Sequence, residues 1–341
     1  MHDYFSQSVA TQKGSIEAAA IQIGVDPVII EKDLWVTVTL HALFSNIFQG
    51  IFVFKGGTSL SKVYGIIERF SEDIDVTINR SIFGKHLTLH ELAELGTNER
   101  ERIIENIKNK AHHYIQDQVI PLLKMRIEGI SKEKVEVSFA DGDPLSIEIY
   151  YPSFFKERYL YIKPRIYIEF GIRGELDPHE TKVITSYLHQ RVVVLNNMHV
   201  GVRVLSPIRT FYEKATLLHQ ETHRDSGKRT PLRLSRHYYD LHQLVLKGYL
   251  NEALGEMDLL EAVIKHKMLL FPSKWAQYET ILDKGIKLLP DNSRIKDLEA
   301  DYKQMEEMFF GEYPSFEEVL TTIKNIEQKV NTAIQIKISL S

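Results

Sequence analysis

Two short strings carry the chemistry-bearing residues of this chain: Lys55-Gly56-Gly57-Thr58-Ser59-Leu60-Ser61-Lys62 and, one element later, Arg69-Phe70-Ser71-Glu72-Asp73-Ile74-Asp75. Gly56 and Gly57 permit backbone angles that other residues avoid. Thr58 and Ser59 add hydroxyls, and a helix opening there aims its N-terminal amides at the same place. Such a turn suits the phosphate tail of a triphosphate. It is not a Walker loop, because the glycine–lysine spacing differs. Asp73 to Ile78 alternates Ile74, Val76 and Ile78 with Asp73, Asp75 and Thr77. Period two means strand, so both aspartates fall on one face, roughly 6–7 Å apart. They can share one hard divalent cation or bridge two. Magnesium favours one or two carboxylates plus phosphate oxygens, and there it supports in-line attack on an α-phosphorus. The alternative is the polar face of an edge strand.

A third carboxylate on a neighbouring strand would complete the set and could act as general base. Glu169 alternates outward between Ile168 and Phe170, and Glu148 on another strand is its rival.

A second group lies far along the chain. Lys214 sits in the helical stretch Pro207–Gln220, beside Phe211, Leu217 and Leu218. It reads either as a point charge for a β- or γ-phosphate or as a snorkelling surface lysine. Arg224, Lys228, Arg229, Arg233 and Arg236 then precede Asp240. On a helix from about Leu232, Arg233, Arg236, His237 and Asp240 share a face, with Leu234, Tyr238, Leu241 and Val245 opposite. Asp240 could orient Lys214 or an arginine. The stripe could bind triphosphate, an RNA backbone or both, or be a solvated face with internal ion pairs.

The elements that must position these residues are legible around them. Asp26-Pro27 is an N-cap and first-turn proline, opening a buried helix over Val28–Phe44. Ile51–Phe54 reads as a buried strand. Leu60, Val63, Tyr64 and Ile67 predict a helix of about three turns. Glu99–Ile130 is helical, and its charge run is a solvated face rather than a binding arm. Val135–Ala140, Leu145–Tyr151 and Lys163–Gly171 read as strands, with Arg191–Leu195 and Val202–Leu205 as short edge strands. At Ser206-Pro207 helical periodicity takes over to the end. The expected organisation is an α/β (α+β) lobe over 1–205, a mixed sheet flanked by helices, and a helical-bundle lobe over 206–341 that closes the active-site cleft.

The chain has 341 residues, of which 43% are hydrophobic and 26% charged, with a net charge of -4. That argues against a uniformly basic nucleic-acid coat and leaves room for a local basic patch. No cysteine is present, which excludes disulfides and thiolate metal sites. Met1–Ser15 has no apolar signal core, and no run approaches the ~18–20 apolar residues of a membrane span. A soluble cytoplasmic protein with no membrane partner is the expectation.

Gly56-Gly57-Thr58 with Asp73-Ile74-Asp75 resembles the polymerase-β-like nucleotidyltransferase superfamily. The fuller strings around them look like its AbiEii/AbiGii (MenT-type) toxin branch, as do Glu31-Lys32-Asp33-Leu34-Trp35-Val36, Ile168-Glu169-Phe170, Lys214 and Arg236-His237-Tyr238-Tyr239-Asp240-Leu241. The resemblance covers roughly residues 25–280. The gap from Gly57 to Asp73 is longer than the superfamily pattern but suits this branch. The resemblance implies a polymerase-β-like fold and a toxin of a bacterial toxin–antitoxin or phage-defence pair. It implies transfer of a nucleoside monophosphate from an NTP, with pyrophosphate released. Some relatives extend the tRNA 3′ end, so tRNA leads as acceptor. The metal would be Mg2+ or Mn2+, held by Asp73, Asp75 and Glu169. Lys214 and Asp240 join these three as catalytic residues, and Gly56, Gly57, Thr58, Ser59, Lys62 and Arg236 bind nucleotide. A cognate antitoxin is the further partner. The alternatives are a small-molecule (antibiotic-type) adenylyltransferase and an inactive nucleotide- or RNA-binding member.

Other signals carry less. Lys265-His266-Lys267 with Phe271, Trp275 and Tyr278 mixes cations and aromatics as single-strand surfaces do, or forms helical core. His219 and His223 have zinc-helix spacing but no third ligand. Ser71 lies two residues before Asp73, where a phosphate would add about two negative charges, so it is a candidate control point.

Overall fold

Period-two alternation builds one mixed sheet. In the computed structural model, residues 2–71, 73–84, 88–156, 163–191 and 200–340 are described. Among them seven strands pair: β1 (Phe52–Lys55), β2 (Asp73–Ile78), β3 (Glu136–Phe139), β4 (Ser146–Tyr150), β5 (Arg165–Gly171), β6 (His179–Ile184) and β7 (Val200–Leu205). Their order is β3-β4-β5-β2-β1-β7-β6. The pairs β2/β5 and β1/β7 are parallel and the others antiparallel. The expected α/β architecture of a mixed sheet with flanking helices is present.

The chain divides into two compact units. The first comprises Met1–Tyr64 and Phe70–Leu205, and the second comprises Gly65–Arg69 and Ser206–Ser341.

In the first unit the helix Pro27–Leu43 starts as its sequence dictates. The Asp26 carboxylate accepts the Val28 amide at 2.9 Å, and proline occupies the first turn. This helix is buried almost all round, including Glu31, Lys32 and Asp33. Trp35 stacks on Tyr151 at 4.9 Å, and Phe52 meets Phe170 at 5.7 Å across the sheet core. The long helix expected over Glu99–Ile130 is present but widens to a π turn at Ile115–Val119. Pro121 has no amide to offer the preceding turn there.

Three expectations change. The helix after Gly-Gly covers only Gly56–Lys62, because Gly65 turns left-handed at φ 59° and Gly65–Arg69 leaves the first unit. Strand β7 lies inside the sheet, between β1 and β6, rather than at its edge. The edge on that side is β6, which sequence pattern does not announce because His179–Lys182 is polar and solvated. Of the expected strand Arg191–Leu195, Arg191 ends the short helix Tyr187–Arg191, and Val192–Leu195 lie outside the described residues.

In the second unit the Ser206 hydroxyl accepts the Ile208 amide at 3.2 Å and opens the helix Pro207–Thr222. Helices follow at Ser235–Leu246, Tyr249–Gly255, Met257–Leu270, Asn292–Lys303 and Phe316–Leu340. Tyr238, Tyr302 and Phe316 meet in its core.

Candidate active site

Strand register decides which carboxylates share a face. In the parallel β2/β5 pair Asp75 stands opposite Glu169, and Asp73 opposite Tyr167. Ile74, Val76, Ile168 and Phe170 point into the core. Asp73, Asp75 and Glu169 therefore occupy the other face, with the aspartates half-buried and Glu169 exposed. The rival Glu148 pairs with Tyr167, so the tyrosine stands between it and Asp73. Its carboxylate is engaged by Arg165 and by the Tyr150 hydroxyl.

The Gly-Gly turn is shaped around this face. Gly56 has φ 78°, and a Cβ there would lie 2.0 Å from Asp75 Oδ2. The Asp75 carboxylate thus occupies the space that any other residue at position 56 would fill. Gly57 follows in the first turn of the helix. Thr58 and Ser59 are buried, and their hydroxyls brace the turn instead of opening toward a ligand. Ser59 Oγ donates to the Gly56 carbonyl at 2.8 Å. Thr58 Oγ1 donates to the Asp73 carbonyl at 2.5 Å and lies 2.8 Å from Ser71 Oγ.

Lys62 differs from expectation. Its ammonium is buried against Asp33 and lies 5.2 Å from the Tyr187 ring centre. Asp33 also accepts the Tyr187 amide at 2.6 Å. Burial presses Lys62 down and Asp33 up, with their mutual attraction opposing both. This pair joins two helices and the start of a third; the lysine is not directed at a phosphate. The motif lysine that does share the carboxylate face is Lys55, which stands opposite Asp75 in the antiparallel β1/β2 pair. A row Lys55–Asp75–Glu169–Ser146 therefore crosses four strands. Its signal in the sequence is a lone lysine ending an apolar strand at the Gly-Gly turn.

The second unit contains a charged centre of its own. Asp240 is fully buried and accepts both Arg69 Nε and Nη2 at 2.9 Å. Lys214 Nζ lies 2.9 Å from Oδ2, the oxygen that also accepts Arg69 Nη2, and 3.3 Å from His237 Nδ1. Burial alone would raise the Asp240 carboxyl, but Arg69 and Lys214 outweigh it and hold the group well below the usual range. Burial, then Lys214 and Arg236, drive His237 far down, so it stays neutral. Asp240 orients the lysine and an arginine together, and the arginine is Arg69 rather than a member of the later stripe. Arg69 is fixed in turn by an antiparallel bridge to Phe309, and the Phe310 amide donates to the Glu68 carbonyl at 2.9 Å. Sequence spacing gave no sign of that pair, because its members are 171 positions apart.

The stripe is shorter than expected. The helix begins at Ser235, and Arg233 precedes it at φ 60° with its amide donated to Asp301 at 2.7 Å. Arg236, His237 and Asp240 remain on the helix. Lys228, Arg229 and Arg233 are exposed in the preceding loop. Phe271 and Trp275 are surface residues, each with a cation over its ring, Lys267 at 4.9 Å and Arg224 at 5.0 Å. Tyr278 is core. His219 accepts the Lys287 amide at 2.9 Å through Nδ1 and packs on His223.

Among the described residues, no three His, Asp or Glu side chains are gathered tightly enough to enclose a metal ion. The donor chemistry still fits a hard divalent cation: three carboxylates in adjoining register positions, with Gly56 leaving room for one of them. Among the described residues, no helix is long and apolar enough to cross a membrane.

The profile of a family described as "Nucleotidyl transferase AbiEii toxin, Type IV TA system" matches residues 40–322. No curated protein matches. Two solved structures are similar at 15% identity. One is MenT4, a nucleotidyltransferase toxin from Mycobacterium tuberculosis, covering 94% of this chain and 98% of its own with a TM-score of 0.44. The other is JHP933 from Helicobacter pylori, covering 93% and 99% with a TM-score of 0.39.

Proposed function

We propose that the chain, which belongs to the AbiEii family of nucleotidyltransferase toxins, transfers a nucleoside monophosphate from an NTP to the 3′ end of tRNA. The observation carrying this reading is the register of Asp73, Asp75 and Glu169 on one sheet face beside the Gly56 turn. An acceptor hydroxyl oxygen attacks the α-phosphorus and forms the new P–O bond. The bond to the β-phosphate oxygen breaks, and pyrophosphate leaves with the electron pair. Glu169, exposed next to Asp75, takes the hydroxyl proton. Mg2+ or Mn2+ held by Asp73, Asp75 and Glu169 would act as a Lewis acid on the phosphate oxygens.

The backbone of Gly56 and Gly57 accepts the phosphate tail, while Thr58 and Ser59 keep the turn in shape. Lys214, held by Asp240, is a point cation of the kind that a phosphate oxygen takes. In this reading the 1–205 portion carries the transfer chemistry, and the 206–341 portion supplies Lys214, Arg236 and Asp240. Exposed Lys228, Arg229 and Arg233 support an RNA acceptor through backbone contacts. A cognate antitoxin restrains the activity, and the cytoplasm supplies both substrates.

The test incubates purified protein with magnesium, each α-labelled NTP in turn and total bacterial tRNA, with Asp73→Ala alongside. The expected result is label on tRNA with the wild type and none with the variant. Label on a small molecule and not on tRNA would favour the antibiotic-type adenylyltransferase. No transfer to any acceptor by folded protein would favour a binding-only member.

A further inference from the structure

We propose that Lys55 is a substrate-phosphate ligand, whose ammonium binds a non-bridging oxygen of the triphosphate on the carboxylate face. This rests on the nucleotidyl-transfer reading above.

The placement follows from strand geometry. Phe54 pairs with Val76 and is core, so Lys55, one residue on, shares the Asp75 side of the sheet. Its side chain crosses β2 and ends over β5. Lys55 Nζ lies 3.9 Å from where a Cβ on Gly171 would stand. Gly171 is the residue paired with Thr77, one turn of the pleat beyond the Asp75–Glu169 pair. The ammonium therefore lies against β5 at Gly171, on the sheet side that carries Asp75 and Glu169.

The electrostatics point the same way. Lys62 and Lys214 are each ion-paired to a buried aspartate, Asp33 and Asp240. Among the described residues the Lys55 side chain makes no ion pair or hydrogen bond, yet the residue is half-buried. An ammonium has three donors and no acceptor, and one partly withdrawn from water gains from an incoming anionic oxygen. A triphosphate approaching Asp73, Asp75 and Glu169 meets like charge, and a flexible point cation in the same row opposes that repulsion.

The experiment titrates the full chain with inorganic tripolyphosphate and with each of the four common NTPs, in magnesium buffer without acceptor. Lys55→Met keeps the aliphatic stem, and Lys55→Arg keeps the charge. Melting curves accompany each titration. Losing one charge-assisted contact should weaken triphosphate binding by about tenfold in Lys55→Met. Lys55→Arg should recover most of that loss, and all three proteins should melt alike. Wild-type affinity in folded Lys55→Met overturns the assignment alone. So does an affinity loss that tracks a lowered melting point and that Lys55→Arg does not restore, since that is a packing role. A folded wild type that binds no triphosphate overturns the transfer reading and this assignment together.

Discussion

The sheet face and the helical centre are both built around aspartate, and they solve opposite electrostatic problems. On the sheet, Asp73, Asp75 and Glu169 crowd one half-open face, with Lys55 in the same row. In the helical unit, one carboxylate, Asp240, is buried between Arg69 and Lys214. The first gathers negative charge where water and ligands reach it, an arrangement that a soluble cation completes. The second is balanced within the fold, and its aspartate serves by holding two cations in place. A buried ion pair is weak evidence for stability as such, yet removing one partner is severe. The same residue type therefore predicts different failures in the two places.

The sharpest test exchanges one aspartate at a time. Asp73→Ala should cut nucleotidyl transfer about a thousandfold, since metal-linked charge stabilisation is worth several kcal/mol. Its melting point should fall less than that of Asp240→Ala, because Asp73 is half-buried rather than enclosed. Asp240→Ala should instead leave Arg69 and Lys214 facing each other without a counter-charge. That loss should cost about 3–5 kcal/mol of stability, read as a lower urea midpoint. If Asp240→Ala kept full stability and lost only activity, the contrast would fail.

Gly56→Ala probes how closely the turn and the carboxylate are fitted. The added Cβ would meet Asp75 Oδ2 at 2.0 Å, at a backbone φ of 78° that favours glycine. The left-handed angle alone costs about 1–2 kcal/mol. The displaced carboxylate should lower transfer by about a hundredfold, because misplacement near 1 Å is worth that much. Activity within twofold of wild type would show that the turn does not position Asp75.

Acid should separate the buried groups of the second unit by sign. Burial, with His223 adding to it, lowers His219 from 6.5 to about 4, and His237 is lowered as well. Between those values the unfolded chain binds a proton that the folded chain refuses, so stability falls as pH drops from 6.5 to 4. Asp240 is depressed, so its contribution is complete above the unfolded carboxyl value of about 3.9 and fades only below it. Melting temperature should therefore decline between pH 6.5 and 4 through the histidines, before Asp240 protonates. His219→Gln should flatten that decline, and an unchanged slope would remove His219 from the account.

Local pattern carried the sheet face and missed the long-range pairs. Asp73, Asp75 and Glu169 were legible because strand alternation and outward phase are short-range properties. The Asp26 cap and the Ser206 start were legible for the same reason. The AbiEii resemblance held because its glycine and aspartate strings are local too. The Lys62–Asp33 pair is not legible in local pattern because its members lie 29 positions apart. Arg69 was missed because the left-handed Gly65 diverts its segment into the other unit. Nothing in the apolar run through Ile67 announces that turn except the glycine itself. Phe271 and Trp275 share helical spacing with core residues, and only tertiary packing leaves them exposed.

Ser71 offers the mildest test, and it acts on the sheet face alone. Its hydroxyl lies 2.8 Å from Thr58 Oγ1, and Thr58 Oγ1 in turn donates to the Asp73 carbonyl. A negative charge at position 71 would therefore enter next to the turn that braces β2, two residues from the first carboxylate. Repulsion between unit charges about 7 Å apart is worth about 2 kcal/mol at an effective dielectric near 20, and less as solvent screens it. Ser71→Glu should thus reduce transfer, and toxicity at equal expression, by about tenfold. Ser71→Ala removes a hydroxyl contact without adding charge, so it should stay within about twofold. Equal loss in both variants would assign Ser71 a purely packing role. Full activity in Ser71→Glu would show that the face tolerates a further negative charge, and the crowding that distinguishes it from the Asp240 centre would then not limit its chemistry.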